Sequence, residues 1–284
     1  MKAALTIAGS DPTGGAGLQA DLKVFRAFGV HGLSVTSALT AQNTEGVSAI
    51  IPVDKGFFIG QMDVLLSDIR PDALKTGMLY SAWAVDVIAD RIEEYSLKNL
   101  VIDPVTISST GVPLVEQETL EAVKEQLFPL ASVITPNIYE ASVLTGINVE
   151  NVSDMEEAAK RLKEMGPAVV IITGGHFEEV RSQSPSATRR GGKSVSFGDP
   201  PRREVRSDEE TLDLIYDGTE FYCLKGKRIE GEFHGTGCAF SAAITASLAS
   251  GHSALESARK AKAFINNAIR KAYHLGKGMG LLNL

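Results

Sequence analysis

Short apolar runs alternate with longer amphipathic segments along most of the chain, and this order constrains the fold more than any other feature. The runs AALTIAG, LSVTSALT and NLVIDPV are almost continuously apolar, as strands are when both faces of a parallel sheet are covered. Residues 18–29 have helical spacing and end in glycine, which is typical of a helix. The alternation predicts one α/β domain over residues 1–284, with a doubly wound, mainly parallel sheet and helices on both faces.

Further elements follow from the same pattern. It predicts helices at 54–69, 82–95 and 153–166, a strand and turn at 72–79, and strands at 99–105, 132–137 and 168–175. Ligands of such sheets bind beyond the carboxyl ends of the strands. Because GSD, KTGM, DPV, TPN and TGGH all fall at those ends, we expect them to line one crevice.

Residues 177–213 break the alternation, because this segment is rich in Ser, Pro, Gly and Arg. One interpretation is a polar surface insertion or flap. The other is a basic lid over anionic ligands, which would use Arg189, Arg190, Lys193, Arg202 and Arg203. The sequence leaves both interpretations open.

Composition excludes several classes of protein. The net charge of −7 argues against the broad basic surface that binds nucleic acid. No apolar run is long enough to span a bilayer, and the first residues lack the pattern of a secretory signal. Two cysteines form neither a disulfide framework nor a metal-ligand cluster. We therefore expect a soluble, cytoplasmic protein that binds neither nucleic acid nor membranes.

The N-terminal loop GSDPTGGAG has part of a phosphate-binding pattern. Gly9 and Gly14 have the P-loop spacing, but Gly15 and Ala16 stand where that motif needs Lys and Ser or Thr. A dinucleotide-binding pattern is present only in a loosened form. The loop is either a plain turn or a place where a ligand approaches the backbone, with Asp11 and Asp21 as groups that could orient it.

A second glycine turn is a stronger candidate for anion binding. Gly235, Thr236 and Gly237 precede CAFSAAITASLA, and the N–H groups at a helix N-terminus stabilise phosphate or a transferred phosphoryl group. Cys238 lies in the first turn, where the helix N-terminus favours the thiolate; it could equally be a small packing residue. Cys223, on a predicted strand, is expected in the core.

Eight motifs, taken in order, resemble the hydroxymethylpyrimidine and phosphomethylpyrimidine kinases of thiamine biosynthesis, which belong to the ribokinase-like superfamily. They are LTIAGSDPTGGAGLQADLK, AQNTEGV, KTGML, VIDPV, ITPNIYEA, GGH, YDG and HGTGCAFSAAI. The resemblance implies ATP- and Mg²⁺-dependent phosphorylation of 4-amino-5-hydroxymethyl-2-methylpyrimidine and then of its monophosphate. A pyridoxal or pyridoxine kinase of the same branch is the alternative, and a non-catalytic pyrimidine-binding regulator is the alternative from another class.

The resemblance also implies roles for individual residues. Many sugar kinases of the superfamily have a G-A-G-D turn with an aspartate base, and Cys238 stands at that position. The backbone of Gly235, Thr236 and Gly237 would form the anion hole. Gln42 would bind the aminopyrimidine, whose ring nitrogen and amino group match the donor and acceptor of an amide. The pocket around the ring would be lined by Gly9, Asp21, Met78 and Val105.

For the nucleotide, the resemblance implies a polar cluster at the other strand ends. Asp103 and Glu140 would hold Mg²⁺, and the phosphates would lie near Asn137, Thr173, Gly174 and Gly175. Asn137 and Glu140 also fit a helix N-cap and capping box. Relatives often carry a lysine within the stretch that corresponds to 105–111 and another at the position of Thr173, and this sequence has neither. The basic residues of the insertion could supply the missing positive charge. A homodimer is expected from the resemblance.

Overall fold

The computed structural model describes residues 1–106, 115–174 and 210–284, and in these ranges nine strands form the main sheet. The strands are β1 (Ala3–Ser10), β2 (His31–Asn43), β3 (Gly46–Pro52), β4 (Ala73–Thr76), β5 (Leu100–Ile102), β6 (Ala131–Ile134), β7 (Val169–Thr173), β8 (Glu210–Tyr216) and β9 (Phe221–Lys227). Their order is β3-β2-β1-β4-β5-β6-β7-β8-β9. Strands β2 to β7 in this row are parallel, whereas β3, β8 and β9 pair antiparallel at the two edges.

Helices cover both faces of the sheet. They are α1 (Gly17–Ala27), α2 (Lys55–Asp68), α3 (Ala82–Glu94), α4 (Gln117–Ala122), α5 (Ile138–Thr145), α6 (Val152–Glu164), α7 (Thr236–Ala249) and α8 (Ala254–Arg270). One core joins the sheet to α2, α3, α5 and α6, and the other joins it to α1, α7 and α8. Within β1, Leu5 and Ile7 enter the first core and Ala4 the second. Burial on both faces accounts for the continuous apolar runs and confirms the doubly wound prediction.

A short parallel pair joins the chain's end to the second glycine turn. Strand β10 (Phe233–His234) pairs with β11 (Gly280–Leu281), directly before α7. The Met279 N–H also donates to the carbonyl of Thr44, at the end of β2. The C-terminal segment therefore packs beside the same strand ends as the glycine turn.

The structure corrects two sequence predictions, the end of the insertion and the burial of Cys223. The segment predicted as an insertion to residue 213 already contains the first residues of β8, where Asp213 pairs with Thr173 of β7. The rest of that segment, with the basic residues from Arg189 to Arg203, lies outside the described residues. Cys223, predicted in the core, is exposed, because it lies on β9, an edge strand of the sheet.

Among the described residues, none of the helices has the length and apolar character needed to cross a membrane.

Candidate active site

A cavity opens at the carboxyl ends of the strands, where the order of the sheet reverses around β1. In doubly wound sheets this reversal point is where ligands bind. The predicted site residues that line the cavity are Gly9, Gln42, Met78, Asp103, Val105, Asn137, Glu140, Thr173, Gly235, Thr236, Gly237 and Cys238. Asp21 and Gly174 do not line it, and Gly175 lies outside the described residues.

The glycine turn before α7 is built by close backbone packing. Gly235 has a φ of 79°, and a Cβ at this position would clash with the carbonyl oxygen of Gly15. Glycine is therefore required, since left-handed backbone with no room for a side chain excludes other residues. The contact joins the two glycine loops that the sequence singled out. It places the N-terminal end of the 14-residue α7 at the cavity, where its backbone N–H groups can bind an anion.

Cys238 faces this cavity, but its thiol differs from the sequence-based expectation. The pKa of Cys238 is raised to about 12, because desolvation and the charges of Asp103 and Asp21 outweigh the lowering effects of Lys75 and the Gly17 N–H. The helix N-terminus was expected to favour the thiolate. That expectation is wrong for this structure because loss of solvent outweighs the helix end.

Lys75 is a site residue that the sequence reasoning missed. Its side chain is fully buried, and Nζ donates to both carboxylate oxygens of Asp21 at 2.9 Å. Thr6 donates to the same carboxylate at 2.6 Å, and Asp103 Oδ2 lies 3.8 Å from Nζ. Burial alone would lower the pKa of Lys75, but the charges of Asp21, Cys238 and Asp103 raise it above its usual range. The ammonium group is therefore a fixed positive charge at the wall of the cavity.

The same contact corrects the role predicted for Asp21. Its side chain is 0% exposed and lies behind Lys75 rather than against the cavity. A signal was present in the sequence, because a lysine interrupts the apolar strand DALKTGML and an aspartate lies on the apolar side of α1. A buried lysine needs a partner, and Asp21 supplies it.

Asp103 and Glu140 form a second group of buried acids. The Ser241 hydroxyl donates to Asp103 Oδ2 at 2.9 Å. Asn137 and Glu140 form the capping box that begins α5, with bonds of 2.8 and 2.9 Å, so the capping prediction is confirmed. Burial, together with the nearby Asp103 charge, raises the pKa of Glu140 to about 8.

From this acid pair we predict that the free energy of unfolding falls as pH rises. The folded pKa of Glu140, about 8, lies above its unfolded value, so folding becomes less favourable between about pH 4.5 and pH 8. The slope should approach about 1.4 kcal/mol per pH unit. In Glu140→Gln, whose amide oxygen can still accept from the Asn137 N–H, much of this slope should disappear. Urea unfolding at several pH values without divalent cations measures it, and equal slopes in both proteins would contradict the assignment.

At the β7 end of the cavity, a buried carboxylate fixes the turn after that strand. The Gly174 N–H donates to Asp213 Oδ1 at 3.2 Å, and Lys262 Nζ lies 2.7 Å from Asp213 Oδ2. A Cβ on Gly174 would clash with the carbonyl of Leu212. Gly174 therefore supports the strand end on which Thr173 lines the cavity. Asp213 was missed because the sequence placed it in the insertion.

On the opposite side, Gln42 reaches the cavity from the end of β2. Its Nε2 lies 3.0 Å from His234 Nε2, which lies 2.9 Å from Asp11 Oδ2. Met78 and Val105 supply apolar surface beside it. The cavity thus combines an amide and apolar walls with buried acids and a glycine turn.

The sheet order, the cavity at its reversal point and the glycine turn at the start of α7 define a ribokinase-like protein. A family model for phosphomethylpyrimidine kinase matches residues 11–283. The chain belongs to the phosphomethylpyrimidine kinase family.

Individual relatives agree with this membership. The chain is 41% identical to the thiamine biosynthesis bifunctional protein ThiED of Geobacter sulfurreducens, covering 98% of this chain and 51% of that protein. It is 38% identical to a hydroxymethylpyrimidine/phosphomethylpyrimidine kinase of Bacillus subtilis, covering 99% and 93%. Among solved structures, an ADP complex of Bacillus subtilis pyridoxal kinase superposes with a TM-score of 0.81 at 36% identity, covering 99% and 96%.

Proposed function

We propose that this protein is an ATP-dependent kinase that phosphorylates 4-amino-5-hydroxymethyl-2-methylpyrimidine and then its monophosphate, for thiamine biosynthesis. One observation carries the proposal: Gln42, Cys238 and the glycine turn all line a single cavity. An amide suits an aminopyrimidine edge, and a helix N-terminus suits a phosphoryl group. One domain spanning residues 1–284 is part of the proposal.

Cys238 is the proposed base in the first phosphorylation. Its thiolate takes the proton of the substrate hydroxyl while the hydroxyl oxygen bonds to the γ-phosphorus. The bond from that phosphorus to the bridging oxygen breaks, and ADP leaves. The backbone N–H groups of Gly235, Thr236 and Gly237 stabilise charge on the transferred group. The charge of Lys75 lowers the pKa of Cys238 against the effect of desolvation, and so favours the thiolate that this step needs.

Asp103 and Glu140 fit a magnesium ion by their chemistry. Both are buried carboxyl groups at the cavity, and each electrostatically disfavours ionisation of the other, so a hard cation would relieve the excess negative charge. In the described part of the chain, no cluster of three or more acidic, His or Cys side chains could hold a metal alone. This suits an ion held partly by nucleotide phosphates. When bound, Mg²⁺ would neutralise charge on the phosphates during transfer.

Comparing three acceptors tests the substrate assignment. Coupled ATP-consumption assays with the hydroxymethylpyrimidine, its monophosphate and pyridoxal should give the highest kcat/KM for the two pyrimidines. Pyridoxal is the relevant competitor, because the chain superposes on a pyridoxal kinase. Turnover of pyridoxal alone would replace the proposed substrate, and turnover of none of the three would contradict the kinase assignment.

We also propose a homodimer formed through the β2–β3 edge. Leu39 and Ile51 are cross-strand neighbours with 53% and 67% of their surface exposed, and Phe57 at the start of α2 is 67% exposed. Large apolar side chains exposed as neighbours, as Leu39 and Ile51 are, are typical of an interface. Light scattering should give twice the chain mass, and Ile51→Lys should shift the protein toward the monomer. The cytoplasmic location remains a prediction from the sequence.

A further inference from the structure

The carboxamide of Gln42 belongs to a hydrogen-bonded chain that ends in a buried carboxylate. Asp11 accepts bonds from the Thr13 N–H, the Thr13 hydroxyl and the Ala16 N–H, each at 2.8 Å. Its Oδ2 also lies 2.9 Å from His234 Nε2, and both side chains are less than a tenth exposed. Although burial acts to raise the pKa of Asp11, its bonds to His234 and Thr13 lower it overall, so this group is an ionised acceptor.

Because Asp11 is an ionised acceptor, it determines which ring nitrogen of His234 carries a hydrogen. A ring nitrogen without a hydrogen would place its lone pair against the carboxylate at 2.9 Å, which is repulsive. His234 Nε2 therefore carries a hydrogen and donates to Asp11, whether the ring is neutral or charged. That hydrogen also faces the amide of Gln42 at 3.0 Å. An N–H group on the amide cannot pair with it, because both would be donors.

The other terminal atom of the Gln42 amide faces the Thr40 hydroxyl, whose single hydrogen already bonds elsewhere. The Thr40 hydroxyl donates to the Ser10 carbonyl at 2.8 Å. It also lies 3.3 Å from the amide atom placed as Oε1 of Gln42. Its oxygen is left as an acceptor, so it pairs with an N–H group. Rotating the Gln42 amide by half a turn exchanges its oxygen and nitrogen without moving either position, and it satisfies both neighbours.

We propose that His234, held by Asp11, fixes the Gln42 amide with Oε1 toward His234 and Nε2 toward Thr40, and so determines which way round a substrate ring binds. In this arrangement Oε1 keeps a lone pair and Nε2 keeps an N–H for a ligand in the cavity. The order of acceptor and donor that the Gln42 amide offers to a ligand is then fixed. His234 is a positioning residue, because it acts through Gln42.

This order has a consequence for the reaction, and here the inference rests on the proposed function. In the aminopyrimidine, the amino group is a donor, the neighbouring ring nitrogen is an acceptor, and the hydroxymethyl group is attached to the carbon next to the amino-bearing carbon. Oε1 lies toward His234, which directly precedes the glycine turn. Pairing the amino group with Oε1 therefore turns the hydroxymethyl group toward Cys238. The opposite amide orientation would turn it away.

A substrate with the inverted hydrogen-bond pattern tests the proposal. The 4-oxo analogue has an acceptor where the aminopyrimidine has a donor, and an N–H at the neighbouring ring position. The wild-type protein should prefer the aminopyrimidine in kcat/KM by about 100-fold or more, because the analogue leaves polar groups opposed. In His234→Phe the amide can rotate, and this preference should fall by about tenfold or more. His234→Gln, whose terminal amide nitrogen can replace the Nε2 donor, should keep most of it.

His31→Phe is the matched control, because His31 is exposed at the opposite end of β2. The preference of His31→Phe for the aminopyrimidine over the 4-oxo analogue should stay within about twofold of wild type. An unchanged preference in His234→Phe would overturn the inference while leaving the proposed function intact. Absence of wild-type turnover on the aminopyrimidine would instead contradict the proposed function.

A direct measurement on the wild-type protein does not depend on either variant's activity. Nitrogen-15 NMR of histidine-labelled protein should show a hydrogen on Nε2 of His234, with the resonance identified by its loss in His234→Gln. A bare Nε2 would overturn the proposal, because Gln42 would then donate to His234 and its order would be reversed.

Discussion

Replacing Cys238 by alanine is expected to reduce kcat by about 100- to 10,000-fold, the usual contribution of a positioned general base. Affinity for the pyrimidine should change little, because Gln42 and the apolar walls of the cavity remain. Steady-state kinetics with the hydroxymethylpyrimidine and ATP give the first quantity, and calorimetric titration of the pyrimidine gives the second. A large fall in kcat with binding retained supports a base and argues against a pyrimidine-binding regulator.

The chain supplies its own control for this experiment. Cys223 is the other cysteine, exposed on β9 and away from the cavity, so Cys223→Ala should keep wild-type kcat. Thermal unfolding of both variants separates a chemical effect from loss of structure. A fully active Cys238→Ala protein would remove Cys238 from the mechanism and leave transfer to positioning and charge stabilisation alone.

Much of the fold is readable from the sequence because it depends on local periodicity. The apolar runs and helical spacings specify strands and helices, and carboxyl ends of parallel strands must meet at one edge. For that reason the motifs that contain Gly9, Asp103, Asn137 and Thr173 could be placed around one cavity from the sequence. The structure brings those residues together at that edge.

The sequence is much less informative about contacts between distant residues. Lys75 and Asp21 are 54 positions apart, and His234 and Asp11 are 223 apart, so no local pattern links either pair. Which strand forms an edge depends on the whole sheet, and the exposure of Cys223 follows from that. The thiol pKa of Cys238 likewise depends on desolvation by surrounding elements, which the helix N-terminus alone does not reveal.

The second large effect is expected in the buried ion pair of Lys75. Replacing Lys75 by methionine leaves the Asp21 carboxylate fully buried, with the 2.6 Å bond from Thr6 but without its cation. Removing one partner of a buried pair costs about 3–5 kcal/mol, because the remaining charge is uncompensated. The loss of unfolding free energy should reach this range in urea denaturation at neutral pH. Adding Asp21→Asn removes the orphaned charge, so the double variant should recover much of the loss.

A surface pair provides the scale for this measurement. Lys2 lies 2.6 Å from Asp72, with side chains 56% and 32% exposed, so Lys2→Met should cost no more than about 1 kcal/mol. If Lys75→Met cost no more than that, or if the losses in Lys75→Met and Asp21→Asn simply added, the pair would not be coupled as described. If the double variant is stable but its kcat remains low, the charge of Lys75 acts at the cavity as well as in the core, because the double substitution restores neutrality without restoring the cation beside Cys238.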